Sequence, residues 1–140
     1  MGVMVLVAED EALIALSLAD LLEAEGYEVA LAADGADALD AARRLGDALA
    51  VLVTDLNMPR MGGEDLIRAL RAERPGLPVV VGTGSAPFGG EEELRRGAGG
   101  DGLLQLLLKP ADCGELAAAL RRAVAAGSAA KAMPRLALAS

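Results

Sequence analysis

At 140 residues the chain has room for one domain, and its formal net charge of −8 without any histidine disfavours binding to a nucleic-acid phosphate backbone. Its apolar runs stop short of the roughly 18 residues of a membrane span, and its amino terminus lacks the pattern of an export signal. Cys113 is the only cysteine, so no intramolecular disulfide can form. We expect a cytoplasmic protein that binds neither nucleic acid nor membrane.

The first third of the chain predicts two strands and two helices. Residues 3–7 form an unbroken apolar run, which is typical of a strand buried on both faces. Leucines and Ile14 then recur at helical spacing until Gly26, which closes this helix. Tyr27–Ala32 is predicted as the second strand, and Asp34 stands where the cap of the next helix belongs.

The remainder repeats the alternation three times. Apolar runs at residues 51–53, 79–81 and 103–108 predict the third, fourth and fifth strands. Amphipathic segments follow each of them, but between residues 87 and 102 only Glu91–Arg96 is helical in pattern, so the fourth helix should be short. Strands that alternate with helices predict a doubly wound α/β fold with a parallel sheet. We expect the domain to cover residues 1–126 and a loosely held tail to cover residues 127–140.

Polar side chains follow the predicted strands at the points where these strands end. Glu9 and Asp10 follow the first strand, Asp55 the third, Thr83 the fourth and Lys109 the fifth. In an open parallel sheet these ends share one edge, where ligands bind. Clustered carboxylates require a counter-charge, and hard oxygen ligands favour Mg²⁺ or Mn²⁺. Since Mg²⁺ leaves room for phosphate oxygens, the site suits phosphoryl chemistry, with Asp55 as the nucleophile.

With these motifs the chain resembles the receiver domains of bacterial two-component response regulators. The resemblance covers residues 3 to about 126, and it rests on Val5–Glu11, on Asp55–Gly63, on Val79–Thr83 and on Lys109-Pro110. It implies a five-stranded, flavodoxin-like sheet with strand order 2-1-3-4-5. The Thr83-Gly84 pair and the short tail are similar to stand-alone receivers of alphaproteobacteria.

The resemblance also implies a role for each site residue. Asp55 would be phosphorylated by a histidine kinase or phosphotransfer protein. Asp10 and Asp55 would bind the metal ion directly, Glu9 through water, and Asn57 through its backbone carbonyl. Thr83 would hydrogen-bond the phosphoryl group, and Lys109, aimed by a cis bond to Pro110, would pair with a phosphate oxygen.

The chain departs from the family pattern in the region expected to transmit the signal. Receivers usually carry Tyr or Phe three residues before the lysine, but here the residue is Leu106. The position after Thr83 is Gly84, which leaves more space near the site, and residues 97–102 are rich in glycine. The readout of phosphorylation is therefore left open.

Other interpretations of these residues stay open at this point. Glu9 and Asp10 could be helix-capping acids, and Asp55 could cap the turn that follows it. The chain could also be an interaction module that binds partners without phosphorylation. An enzyme such as an aspartyl phosphatase is disfavoured, because Asn57 stands where a second aspartate would act as the acid. We expect no enzyme activity beyond the protein's own phosphorylation and dephosphorylation. A nucleotide-binding Rossmann domain is disfavoured because no glycine-rich turn follows the first strand.

Overall fold

Apolar and amphipathic segments alternate along the chain, and the structure folds them as strands and helices in the same alternation. This computed structural model describes residues 3–84, 90–100, 102–108 and 113–139. The strands are β1 (Val3–Ala8), β2 (Tyr27–Ala32), β3 (Leu49–Asp55), β4 (Val79–Thr83) and β5 (Leu104–Leu108). The helices are α1 (Ala12–Ala24), α2 (Gly35–Leu45), α3 (Gly63–Glu73), α4 (Gly90–Ala98) and α5 (Cys113–Ala139).

All five strands lie parallel in one sheet with the order β2-β1-β3-β4-β5, which confirms the predicted fold class. Alternate residues of each strand face opposite layers. One layer packs α2, α3 and α4 against residues such as Leu6 and Leu52. The other packs α1 and α5 against residues such as Val7 and Val53. The central strands are buried on both faces, which explains why the sequence shows them as continuous apolar runs.

Two predicted helix ends are confirmed by their local hydrogen bonds and backbone angles. The carboxylate of Asp34 accepts a hydrogen bond from the Asp37 N–H at 2.8 Å, so Asp34 caps α2. Gly26 has a φ of 96°, which a residue with a Cβ rarely adopts, and it follows α1 directly after Glu25.

The glycine-rich segment after α4 wraps around a buried arginine. Arg71 of α3 is only 2% exposed, and its guanidinium donates to the carbonyl oxygens of Leu77, Gly99, Gly102 and Leu103 at 2.8–3.2 Å. A Cβ on Gly102 would lie 2.6 Å from the backbone of Gly76, so only glycine permits this close approach. The described part of the fourth helix covers Gly90–Ala98, which includes the predicted Glu91–Arg96.

The carboxyl-terminal segment, for which the sequence predicted a loosely held tail, has a helical backbone. The backbone of α5 continues without interruption through Gly127 as far as Ala139. Seven of the residues 127–139 are alanine or leucine, and alanine has the highest intrinsic helix propensity. Helical backbone does not require packing, so a domain boundary near residue 126 stays a prediction.

None of the helices in the described part of the chain combines the length and the apolar character that crossing a bilayer requires.

Candidate functional site

The carboxyl ends of the three central strands bring the predicted acidic residues together. β1 and β3 are neighbours with Ala8 opposite Thr54, so Glu9 and Asp10 emerge next to Asp55. On the other side of β3, Asp55 lies opposite Gly82 of β4, and Thr83 follows at once. Four of the predicted site residues therefore share one edge of the sheet.

Three carboxylates form a cluster at this edge. Glu9, Asp10 and Asp55 each offer one carboxylate oxygen, and these oxygens lie within 4.8 Å of one another. Glu9 is buried, Asp55 is half-buried and Asp10 is exposed, so the cluster opens to solvent on one side. Hard oxygen donors with access to water fit a small divalent cation such as Mg²⁺, which keeps several water ligands in proteins.

Hydrogen bonds from the backbone hold two of these carboxylates in place. The Glu11 N–H donates to Oε2 of Glu9 at 3.1 Å, and the Asn57 N–H donates to Oδ1 of Asp55 at 3.1 Å. Neither bond caps a helix, because the N-cap residues of α1 and α3 are Glu11 and Gly62, and neither helix has a side-chain cap. A carboxylate accepts about four bonds, so one amide bond does not prevent it from binding a cation. For Asp55 the turn-capping and metal-binding interpretations are therefore compatible.

The loop between β3 and α3 lies directly against Asp55. A Cβ on Gly63 would lie 2.1 Å from the Asp55 carbonyl oxygen, and the Gly63 N–H donates to the Leu56 carbonyl at 2.9 Å. Met58 and Met61 pack against the apolar core on the α2 and α3 side. The methionines therefore attach the loop to the core, and the absence of a Cβ at Gly63 permits the close approach of the loop to Asp55.

An ion pair that the sequence analysis did not predict ties the same loop to α2. Nε of Arg60 donates to Oδ2 of Asp34 at 2.8 Å, and Nη2 bonds the same oxygen and approaches Oδ1 of Asp37 at 3.3 Å. The Asp37 N–H, and after it the Arg60 guanidinium, hold the pKa of Asp34 below its ordinary value against the opposing effect of burial. Residues 26 positions apart leave no periodic signal, so only a correct strand order could have suggested this pair.

Thr83 and Leu106 lie on neighbouring strands near the site. Thr83 is buried at the end of β4, and Leu106 of β5 packs against the core on the side of α2, α3 and α4. The Leu106 N–H donates to Oε1 of Glu91 in α4 at 2.8 Å. The structure therefore connects this position to α4 through its backbone. Lys109 and Pro110 lie outside the described residues, so their predicted roles stay predictions.

Large apolar side chains are exposed on the helix that begins beside the acidic cluster. Leu13 is 81% exposed and Leu16 is 55% exposed on α1, which starts two residues after Asp10. The sequence pattern puts Ile14, Leu18, Leu21 and Leu22 on one face of α1, and the exposed Leu13 and Leu16 lie outside that face.

Comparison with known proteins gives a consistent result. A family model for the response regulator receiver domain matches residues 5–121. The chain is 36% identical over 121 residues to the transcriptional regulatory protein PdtaR of Mycobacterium tuberculosis, which covers 86% of this chain and 56% of PdtaR. It is 42% identical over 79 residues to the probable transcriptional regulatory protein TcrX of the same species, over 56% of this chain and 33% of TcrX. The chain thus spans about half or less of these relatives.

Solved structures agree with the sequence relatives. A response regulator receiver domain protein from Clostridium thermocellum superimposes with a TM-score of 0.78 at 27% identity, over 89% of this chain and 94% of that chain. The chemotaxis protein CheY4 of Vibrio cholerae superimposes with a TM-score of 0.76 at 28% identity, over 88% of this chain and 99% of that chain.

Proposed function

The chain belongs to the response regulator receiver domain family, and we propose that it is a phosphoacceptor whose Asp55 takes a phosphoryl group from a histidine kinase or phosphotransfer protein. The observation that carries this proposal is the acidic cluster of Glu9, Asp10 and Asp55 at the ends of β1 and β3. Asp55 lies at the end of the central strand, and the loop packed against it is rigidly placed by Gly63.

The proposed reaction is an in-line displacement at phosphorus. A carboxylate oxygen of Asp55 attacks the phosphoryl group of a phosphohistidine, the P–N bond breaks, and the released imidazole nitrogen takes a proton from solvent. Thr83 would donate its hydroxyl to a phosphoryl oxygen, and Lys109 would offer its ammonium to another. The protein modifies only its own side chain, so it is a signalling module rather than an enzyme that acts on a separate substrate.

We assign the binding of Mg²⁺ or Mn²⁺ to Asp10 and Asp55, to Glu9 through water, and to the backbone carbonyl of Asn57. The bound cation would neutralise the negative charge that collects on the phosphoryl oxygens. The oxygen donors and their partial exposure support this assignment. The Asn57 N–H bonded to Asp55 keeps the start of the loop close to the cluster.

The partner that donates the phosphoryl group must cover the rim of the site. Leu13 and Leu16 offer this partner an apolar contact on α1. Since histidine kinases draw their phosphoryl groups from ATP, the proposal includes a cytoplasmic location. The proposal does not include nucleic-acid binding, because acidic side chains outnumber basic ones by 21 to 13 in these 140 residues.

Phosphorylation would switch protein contacts by shifting the population of two conformations. Thr83 is the group that meets the phosphoryl oxygens, and the neighbouring β5 with Leu106 is hydrogen-bonded to α4 through Glu91. We propose that α4 and β5 carry the signal without the aromatic side chain that receivers usually have.

Intact-mass spectrometry after incubation with acetyl phosphate and Mg²⁺ tests the phosphoacceptor function. We expect one added phosphoryl group that is stable in acid and lost in base, and no adduct on the near-isosteric Asp55→Asn variant. Chelation of the divalent cation by EDTA should abolish the reaction in the wild-type chain.

A folded wild-type chain that gains no phosphoryl group from acetyl phosphate or from candidate kinases would contradict the proposal. A partner that binds equally well to the wild-type chain and to Asp55→Asn, with and without acetyl phosphate, would favour the phosphorylation-independent interaction module instead.

A further inference from the structure

Arg60 adopts a backbone conformation that a side chain disfavours. Its φ is 65°, and no other residue except glycine has a positive φ in the described part of the chain. This left-handed region is unfavourable for residues with a Cβ, and such strain persists only where the surroundings impose it. The residue lies in the loop that joins Asp55 to α3, five positions after the proposed phosphoacceptor.

The ion pair with Asp34 fixes the side chain of Arg60, whose backbone is the centre of a tight turn in which the Met61 N–H donates to the Pro59 carbonyl at 2.7 Å. Two guanidinium nitrogens of Arg60 bond the same carboxylate oxygen of Asp34, and the second nitrogen also approaches Asp37. Asp34 is buried and its other oxygen caps α2, so the acceptor cannot follow the loop if the loop moves. Arg60 is therefore attached to a rigid point of the fold.

Backbone contacts fix the same loop on both sides of Arg60. A Cβ on Gly35 would lie 2.2 Å from the carbonyl oxygen of Met61, so the loop contacts the first residue of α2 closely. Nearer the site, Asn57 is bonded to Asp55 through its N–H. The segment that carries the proposed metal-binding carbonyl of Asn57 is thus held at Asp55 and at Asp34.

We infer that Arg60 is a positioning residue for the phosphoacceptor site, acting through its ion pair with Asp34 on the placement of Asn57 and the divalent cation. This inference rests on the proposed function. The two residues contact none of the three clustered carboxylates in the hydrogen bonds described above, so their effect on the cation passes through the loop. Asp34 has a second role as the cap of α2. A substitution that keeps the cap and removes the charge can therefore separate its two contributions.

The variants can be chosen so that each removes the ion pair between Arg60 and Asp34. Arg60→Asn keeps a residue that tolerates the left-handed conformation and loses the guanidinium. Asp34→Asn keeps a good helix cap and loses the charge. Arg43→Gln is the matched control, because Arg43 of α2 bonds one oxygen of Glu73 through Nε and Nη2 at 3.1 and 2.7 Å and is similarly exposed, but belongs to no loop at the site.

Two measurements read the effect on the loop and on the cation separately. Amide hydrogen exchange at Asn57 and Gly63, without any metal, reports the order of the loop. Titration with Mg²⁺ alone, followed by the NMR shifts of the amides around Asp55, gives the dissociation constant. Mutation of a residue that bonds a metal ligand typically weakens metal affinity by 10- to 100-fold. We expect about a fivefold weakening here, because Arg60 acts on the ligand through the loop and not by a direct bond.

The expected result is faster exchange and weaker Mg²⁺ binding in Arg60→Asn and in Asp34→Asn, with Arg43→Gln equal to wild type. The double variant of Arg60 and Asp34 should show no faster exchange and no weaker Mg²⁺ binding than either single variant, since both substitutions remove the same ion pair. Unchanged exchange would overturn the inference, and so would faster exchange with unchanged Mg²⁺ affinity, because the pair would then serve stability alone. Failure of the wild-type chain to bind Mg²⁺ would contradict the proposed function instead, and exchange alone would then decide whether Arg60 orders the loop.

Discussion

Replacement of Arg71 by methionine should remove about 3 kcal/mol from the free energy of unfolding. Leu77 is buried, and its carbonyl oxygen receives two bonds from the guanidinium at 3.2 and 3.0 Å. A buried acceptor left without a donor costs about 1–3 kcal/mol. The carbonyl of Leu103 keeps a bond from the Val79 N–H, whereas those of Gly99 and Gly102 must turn to water, which adds a smaller loss. Methionine fills much of the space of the arginine stem, so packing contributes little.

A loss of about 3 kcal/mol should be measurable both as a lower Tm and as a lower urea midpoint. For 140 residues the unfolding entropy is about 0.3 kcal/mol per kelvin, so 3 kcal/mol lowers Tm by about 10 °C. With a urea m-value of about 1.5–2 kcal/mol/M, the midpoint should fall by about 1.5–2 M. Far-UV circular dichroism is the suitable probe, because the chain has no tryptophan and one tyrosine.

The matched control lies one turn earlier on the same helix. Arg68 is exposed and bonds the carbonyl of Gly97 and the carboxylate of Asp65, so Arg68→Met should change stability by less than about 0.5 kcal/mol. If Arg71→Met were as stable as Arg68→Met, the buried guanidinium would not be the element that holds the segment after α4.

In urea titrations, Gly102→Ala should destabilise the fold by about 1–3 kcal/mol, because its Cβ would overlap the backbone of Gly76. A Cβ at Gly97 would have no atom within 4 Å, so Gly97→Ala should be neutral or stabilising by up to about 1 kcal/mol. Leu13→Gln should slow phosphotransfer from a protein donor severalfold and leave acetyl phosphate labelling unchanged; equal loss in both assays would place Leu13 in the reaction itself. The folded-state pKa of Asp34 lies below its ordinary value of 3.8, so its contribution to stability is complete above that pH and is lost as the pH falls through the lower folded value. Acid unfolding curves should therefore fall less steeply below about pH 3.8 in Asp34→Asn than in the wild-type chain.

The sheet and the acidic cluster could be predicted because both depend on local patterns. A central strand of a parallel sheet is apolar on both faces, so β1, β3 and β4 are visible as runs, and their last residues fall on one edge whatever the loops do. Asp55 is identifiable for the same reason. These inferences need the positions of strand ends within one or two residues, which apolar runs supply.

The contacts of the arginines could not be predicted because they join distant segments through loops. Arg60 and Asp34 are 26 positions apart, and Arg71 bonds Leu103 at a separation of 32. Both pairs require the loop conformations as well as the strand order. Nothing in the local pattern distinguishes Arg71, which is buried, from the exposed Arg68 three residues before it. The helical backbone after Gly127 was not predicted, because glycine and serine start the segment, whereas the alanines after them favour helix.

The free edge of β5 shows how α4 is coupled to the sheet in a chain that lacks the usual aromatic side chain. Glu91 accepts the Leu106 N–H at 2.8 Å, and Arg95, four residues later in α4, donates to the Leu104 carbonyl at 3.2 Å. Four helical residues advance about 6 Å and two strand residues about 6.6 Å, so the two spacings match when helix and strand run in opposite directions. Glu91 and Arg95 also pair with each other at 3.4 Å. Because both bonds go to the backbone, they do not depend on the side chain at Leu106, and a displacement of β5 must strain or break them. Leucine at this position therefore removes a rotamer switch without disconnecting α4 from the strand next to Thr83.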